Sequence, residues 1–250
     1  MKSRRSEDQR FPHPTPTRVS GQAEHDLDRL LLAILKDDRA GARELIKTNP
    51  AFCAALVNRA RLYKSTIVHW LYSNDTALHL AAAGHRVVIA RMLLAAGADP
   101  NAAYNHRQGR PLHYAADGQP QSPSFDAVQQ VKTIRCLLEA GADLDAVDKN
   151  GASALHRAVR TRCAAAVDYL LEAGADPRAG NHSGATPFHL AVQNTGRGGS
   201  GDEAAKAAQR RIIESMLGRG VSPMMKDARG RSVLDWARSE WVRQLLSCTG

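Results

Sequence analysis

Thr76-Ala-Leu-His79-Leu-Ala-Ala returns as Arg110-Pro-Leu-His113-Tyr-Ala-Ala, as Ser153-Ala-Leu-His156-Arg-Ala-Val and as Thr186-Pro-Phe-His189-Leu-Ala-Val. An altered copy reads Ser232-Val-Leu-Asp235-Trp-Ala. A second block trails each copy: Leu93-Leu-Ala-Ala-Gly-Ala-Asp99, Leu137-Leu-Glu-Ala-Gly-Ala-Asp143, Leu170-Leu-Glu-Ala-Gly-Ala-Asp176 and the weaker Met216-Leu-Gly-Arg-Gly-Val-Ser222. His79 to Gly97 and His156 to Gly174 are both 18 residues. Two signatures in fixed register mark an internal repeat, and repeats of this size stack as an array of small units.

Helix chemistry explains the residue choices. Thr76, Ser153, Thr186 and Ser232 stand where a hydroxyl caps the first amides of a helix. Pro111 and Pro187 follow such positions, where no amide donor is needed. Ala81, Ala82, Ala115, Ala116 and Ala158 let paired helices approach closely, and Ile89, Leu93 and Leu94 give a second helix its apolar stripe. Gly97, Gly141, Gly174 and Gly220 sit where a helix ends in a left-handed residue. Asp99-Pro-Asn, Asp143-Leu-Asp and Asp148-Lys-Asn-Gly151 are turn-rich and fit a short hairpin finger.

The pattern resembles the ankyrin repeat family over roughly residues 26–250. The resemblance implies a mainly α solenoid of helix-turn-helix units joined by short β-hairpin fingers, about six repeats with degenerate caps. It also implies that His79, His113, His156 and His189 each bridge their own helix start and a neighbouring finger.

The chain has 250 residues, 43% of them apolar and 24% charged, as in a globular protein. Aromatics are 5%, so the core must come from Leu, Ile, Val and Ala. Residues 1–25, rich in Arg, Pro, Ser and His, are expected to form a disordered basic tail. The repeat domain then fills 26–250. Its first, capping repeat covers about 26–50 and a hairpin-like join 51–73; repeats follow at about 74–105, 106–147, 148–180 and 181–226, and the closing cap at 227–250. In the join, Val68, Trp70 and Tyr72 alternate with Ile67, His69 and Leu71, as in a hairpin arm. His113 to Gly141 is 28 residues and His189 to Gly220 is 31, so insertions at 117–130 and 194–211 separate the two helices of their units.

Membrane spans need about 18 apolar residues, and none is present. The basic start is not followed by an apolar stretch, which argues against a secretory signal. Cys53, Cys136, Cys163 and Cys248 are scattered, which disfavours a zinc site or disulfide framework and makes a reduced, cytoplasmic setting the expectation. Cys136 reads as a small core residue, and nothing marks Cys163 as reactive.

Gly196-Arg-Gly198-Gly-Ser-Gly201 is a literal G-x-G-x-x-G, but a helix rather than a strand precedes it. It reads as a loop that leads into Asp202 and Glu203 at a helix start. The recurring histidines have a structural job, because catalysis needs one site and not four copies. His106 and His113 lack metal-pair spacing, and His85 and His182 read as solvated turn residues. No catalytic, cofactor-binding or metal-ligating residue is therefore expected. The expected function is a non-catalytic protein–protein interaction scaffold or adaptor, its oligomeric state open with a monomer as the default, with no cofactor and no membrane contact; an enzyme using the glycine-rich loop is a further, less favoured alternative.

Charge supplies the remaining signal. Lys plus Arg total 34 against 25 Asp plus Glu, a net +9. Arg157 and Arg160 fall on one helix face, which the resemblance places on the concave groove. Arg107 and Arg110 lie in the adjacent finger beside Tyr104 and His106. These six are the candidate partner-binding residues, and a basic groove with an aromatic fits an acidic peptide or protein segment. Nucleic acid or another polyanionic surface is the alternative, weakened by few and scattered aromatics; a merely solvated basic face is the third reading. Trp70 and Tyr72 either anchor a partner or pack as core, and core is the favoured expectation.

Overall fold

Each signature copy opens a short helix, and the segment after it folds back as a second. The computed structural model of the chain describes residues 15–64, 67–194 and 201–247. Along them run α1 (Gln22–Lys36), α2 (Arg39–Thr48), α3 (Ala77–Ala83), α4 (Val87–Ala95), α5 (Pro111–Ala116) and α6 (Ala127–Glu139). Then come α7 (Ala154–Arg160), α8 (Ala164–Glu172), α9 (Pro187–Ala191), α10 (Glu203–Leu217), α11 (Val233–Trp236) and α12 (Glu240–Ser247). The odd-numbered helices α1 to α11 pack side by side as one layer, with α2, α4, α6, α8 and α10 as a second layer behind it.

Side-chain size sets this spacing. Ala81, Ala82, Ala115, Ala116 and Ala158 are wholly buried in the first layer. Behind them, Ile89 and Leu93, Ile134 and Leu137, Val167 and Leu170, and Ile213 and Met216 are likewise buried, each pair on one helical face. Because Leu170 is fully enclosed, Leu170→Ala is expected to cost about 2–5 kcal/mol. An unfolding midpoint equal to that of the parent would rule out this packing.

The signature histidines join one unit to the next. His79 Nδ1 accepts the Thr76 N–H at 3.0 Å, and His113, His156 and His189 accept those of Arg110, Ser153 and Thr186 at 3.1, 3.2 and 3.1 Å. An amide can only donate, so each Nδ1 is unprotonated and each Nε2 carries the hydrogen. That hydrogen is given to the backbone carbonyls of Gly109, Ala152, Ala185 and Arg231 in the following finger, at 3.1, 3.0, 3.1 and 3.3 Å. Asp235 in the last copy accepts the Ser232 N–H at 2.7 Å, although a carboxylate cannot donate onward.

Fingers share a second local device. The Oδ1 atoms of Asn105, Asp148, Asn181 and Asp227 each accept the amides two and four residues further on. Gly151, Gly184 and Gly230 take left-handed φ of 75°, 72° and 76° there, and Gln108 occupies the same place at 53°. Single backbone bonds link the finger tips: Lys149 N–H to Arg107, His182 N–H to Asn150 and Ala228 N–H to Ser183.

Several features depart from the sequence expectation. Structure begins before the expected boundary at 26: β1 (Thr17–Arg18) pairs in parallel with β2 (Ala55–Leu56), Arg18 donates to Asn74 Oδ1 at 3.0 Å, and α1 opens at Gln22. Residues 1–14 of the expected tail lie outside the described residues. In the join, β3 (Arg61–Lys64) and β4 (Val68–Leu71) form an antiparallel hairpin with Leu62 opposite Trp70.

Where α3/α4 and α7/α8 join by tight turns that close on left-handed His85 (φ 52°) and Arg162 (φ 60°), the chain after α5 leaves in an extended conformation at Asp117 (φ −71°, ψ 142°). Buried glutamines take the exposed carbonyls instead. Gln130 donates to Ala115 and Ala116 at 3.1 and 3.2 Å, and Gln209 to Ala191 and Gln193 at 2.7 and 3.1 Å. The turn residues of the preceding units complete the caps. His85 Nε2 reaches Ala115 and Asp117 at 3.2 and 3.1 Å, and Arg162 reaches Gln193 at 2.7 Å. His85 is thus an inter-unit clamp and not a solvated turn residue, and burial pushes its imidazole down to about 4. Most of the glycine-rich loop, 195–200, lies outside the described residues, while Asp202 caps α10 through Ala205 N–H at 2.8 Å.

Candidate functional site

The β3–β4 hairpin and the insertion after α5 are both foreign to the repeat, and both wall the same cleft. Tyr114 and Arg157, each the residue that follows a signature histidine, line its hairpin end. That position is Leu80 in one copy and Leu190 in another, but Tyr114 and Arg157 in the two between.

Arg157 is only 8% exposed. Its guanidinium spans two units, with Nη1 on Asp117 and Nη2 on Asp148, each at 2.8 Å. Burial alone would raise the Asp117 carboxyl, but His69 at 3.6 Å and the guanidiniums of Arg157 and Arg160 hold it far below the usual carboxylate range. Burial likewise opposes ionisation of Asp148, and the Arg157 hydrogen bond and two backbone amides pull it down. The expectation that Arg157 faces outward beside Arg160 is therefore corrected. Stacking brings two carboxylates onto Arg157 and seals it in, whereas Arg160 keeps 60% of its side chain exposed with one 3.2 Å contact to Asp117.

Tyr114 is buried beside it. Its hydroxyl donates to Asp75 at 2.7 Å, and Asp75 also accepts from Asn105 Nδ2 and the Tyr72 N–H at 2.7 Å each. Burial first, and the Asp75 charge second, push the Tyr114 hydroxyl far up and keep it a neutral donor.

Aromatic side chains form the rim. Trp70 stacks on Tyr72 with centroids 6.3 Å apart, His106 meets the Tyr72 ring edge-on at 5.2 Å, and the Arg107 guanidinium lies over that ring at 5.0 Å. Tyr72 is half-buried against the core, but Trp70 is 48% exposed, which corrects the expectation that both are core. A two-stranded hairpin has a face that nothing covers, and Trp70 and its cross-strand partner Leu62 project there.

Of the six candidate residues, Arg107, Arg157 and Arg160 line one cavity of about 330 Å³, and His106 abuts its Tyr72 wall. Tyr104 and Arg110 do not line it. The Tyr104 hydroxyl lies 3.5 Å from Asp99 and is raised by burial and by that carboxylate, and Arg110 pairs with Asp143 at 3.1 Å. Sequence reasoning missed His69, Asp117 and the exposure of Trp70; the usable signal was a polar residue at a repeat position that is otherwise Leu.

No group of three or more His, Cys, Asp or Glu side chains among the described residues could hold a metal ion. Cys53, Cys136 and Cys163 are buried, and burial pushes the Cys53 thiol up to about 11. No helix among the described residues is long and apolar enough to cross a membrane.

Residues 73–105 match the family model for the ankyrin repeat, and residues 124–201 match that for ankyrin repeats in three copies. The chain contains ankyrin repeats. No curated protein matches it. Ankyrin repeats generally mediate protein–protein interaction and are typically non-catalytic. Here the matched repeats supply α3, α4, α6, α7, α8 and α9, while the β3–β4 hairpin lies before the first match and residues 117–123 lie between the two.

Proposed function

We propose that the protein is a non-catalytic recognition module that binds a partner protein along its finger edge and the adjoining concave layer. The reading takes the helices as six units with degenerate first and last members, supported by their pairing along the chain. One observation carries it: where apolar surface is exposed. Among the described residues the exposed large hydrophobic side chains are Leu32, Leu62, Trp70, Tyr104, Val128, Val147 and Met224, and five of these seven sit on the hairpin or the fingers. Exposed Trp and Tyr on a rigid support favour binding, since little conformational freedom is lost on contact. The signature histidines support a non-catalytic role, because both ring nitrogens of each are already engaged.

Affinity capture with nuclease treatment and a salt series tests the reading, with Tyr104→Ser/Val147→Ser run beside the parent. The expected result is a protein partner that survives nuclease and is lost, or much weakened, in the variant. Recovery of nucleic acid alone, released by moderate salt, would overturn the reading in favour of polyanion binding.

A further inference from the structure

We propose that the cleft between the β3–β4 hairpin and the segment 117–125 seats an extended acidic peptide of a partner protein. One apolar or aromatic side chain of that peptide sits beside Trp70, and its carboxylates meet Arg107 and Arg160. The inference rests on the recognition reading above and adds to its finger contacts one separate seat, with its own ligand chemistry, for a peptide segment of the partner.

Shape points to an extended ligand. Cavities of about 330, 450 and 530 Å³ run in series along this part of the molecule. The first two share His69 and Asp117, the last two share Gly118, Gln119 and Ser122, and all three share Arg160. The result is one continuous cleft with Arg160 at its centre. Its hairpin end is apolar, with Leu62 and Trp70 exposed 37% and 48%, and its far end is polar, lined by Gln119, Ser122 and Thr161.

Charge gives the sign of the ligand. The lining carries five arginines, Arg86, Arg107, Arg157, Arg160 and Arg162, against one carboxylate, Asp117. Three of the five are engaged by the fold: Arg86 on the carbonyls of Ile34 and Leu35, Arg162 on that of Gln193, and Arg157 on its two aspartates. Arg107 is held over Tyr72 and pairs with no carboxylate among the described residues, and Arg160 shares Asp117 with Arg157. Two oriented, exposed cations beside an exposed indole match a carboxylate-bearing peptide with one large side chain. A nucleic acid strand fits less well, since it presents a phosphate at every nucleotide to only two available guanidiniums and one exposed ring.

The test is selection from a random peptide library displayed on phage, panned against the full chain. Fluorescence anisotropy of the enriched peptides then compares the parent, Trp70→Ala, Arg107→Gln/Arg160→Gln and the finger variant Tyr104→Ser/Val147→Ser. The enriched sequences should carry a large apolar residue flanked by Asp or Glu. Affinity should fall about tenfold or more in both cleft variants, weaken with salt and stay near parental in the finger variant. Arg107→Gln/Arg160→Gln alters only exposed side chains, so it remains informative if Trp70→Ala melts early. Enriched peptides without acidic residues, cleft variants within about twofold of the parent, equal binding of a single-stranded DNA oligonucleotide, or no enrichment would each overturn the proposal. Loss confined to the finger variant would remove this seat and leave the recognition reading standing.

Discussion

Acidification from pH 7 to 4.5 is expected to remove about 5 kcal/mol of folding stability through His85 and His113 alone. Burial pushes both imidazoles from 6.5 down to about 4, and the nearby Arg157 charge adds to the effect at His113. His156 and His189 shift in the same direction, also chiefly by burial. Above pH 6.5 these groups are neutral in both the folded and the unfolded chain, so their full contribution is present. Between 6.5 and 4 the unfolded chain takes up protons that the folded one refuses, and stability falls. Near pH 4 the folded imidazoles protonate too, and the loss levels off. At His113 the bonding pattern adds to burial: an imidazole whose Nδ1 accepts an amide N–H has no place for a second proton unless that bond breaks. Urea unfolding at pH 7.5, 6 and 4.5 checks this, with His113→Gln expected to show a shallower pH dependence than the parent. An unfolding free energy that is flat across the range would remove the explanation.

Arg157→Met is expected to cost about 3–5 kcal/mol, because Asp117 and Asp148 would remain buried without their shared cation. Adding Asp117→Asn and Asp148→Asn should restore part of the loss. Asn at 148 keeps the Oδ1 acceptor that the finger needs, as Asn105 and Asn181 already do in theirs. Little of the effect should depend on salt, since the ions are enclosed. Thermal unfolding of the single and triple variants measures it. A single variant within about 1 kcal/mol of the parent would show that the clamp adds nothing.

Legibility followed the range of the interactions. Thr76 with His79, or Asp148 with the amides of Asn150 and Ala152, are pairs within four residues, so their chemistry is written in adjacent letters. The same holds for the left-handed glycines at 97, 141, 174 and 220. Arg157 was placed on the right helix and the wrong side of the surface. Its partner Asp117 lies 40 residues away in another unit, and no period in the chain announces it. His85 was misjudged for the same reason, since the carbonyls that bury it are 30 and 32 residues distant.

From sequence alone came the stacked-helix frame, its register, the places where the repeat is interrupted and a basic character near the second finger and third unit. These follow from local hydrogen bonding and apolar periodicity, which every unit repeats. Only the tertiary structure decided which arginines are spent on the fold and which stay exposed, and that the hairpin and the insertion wall one cleft. Desolvation is a property of where distant segments meet, so a charged residue's fate is set by neighbours that the stacking, and not the chain order, provides.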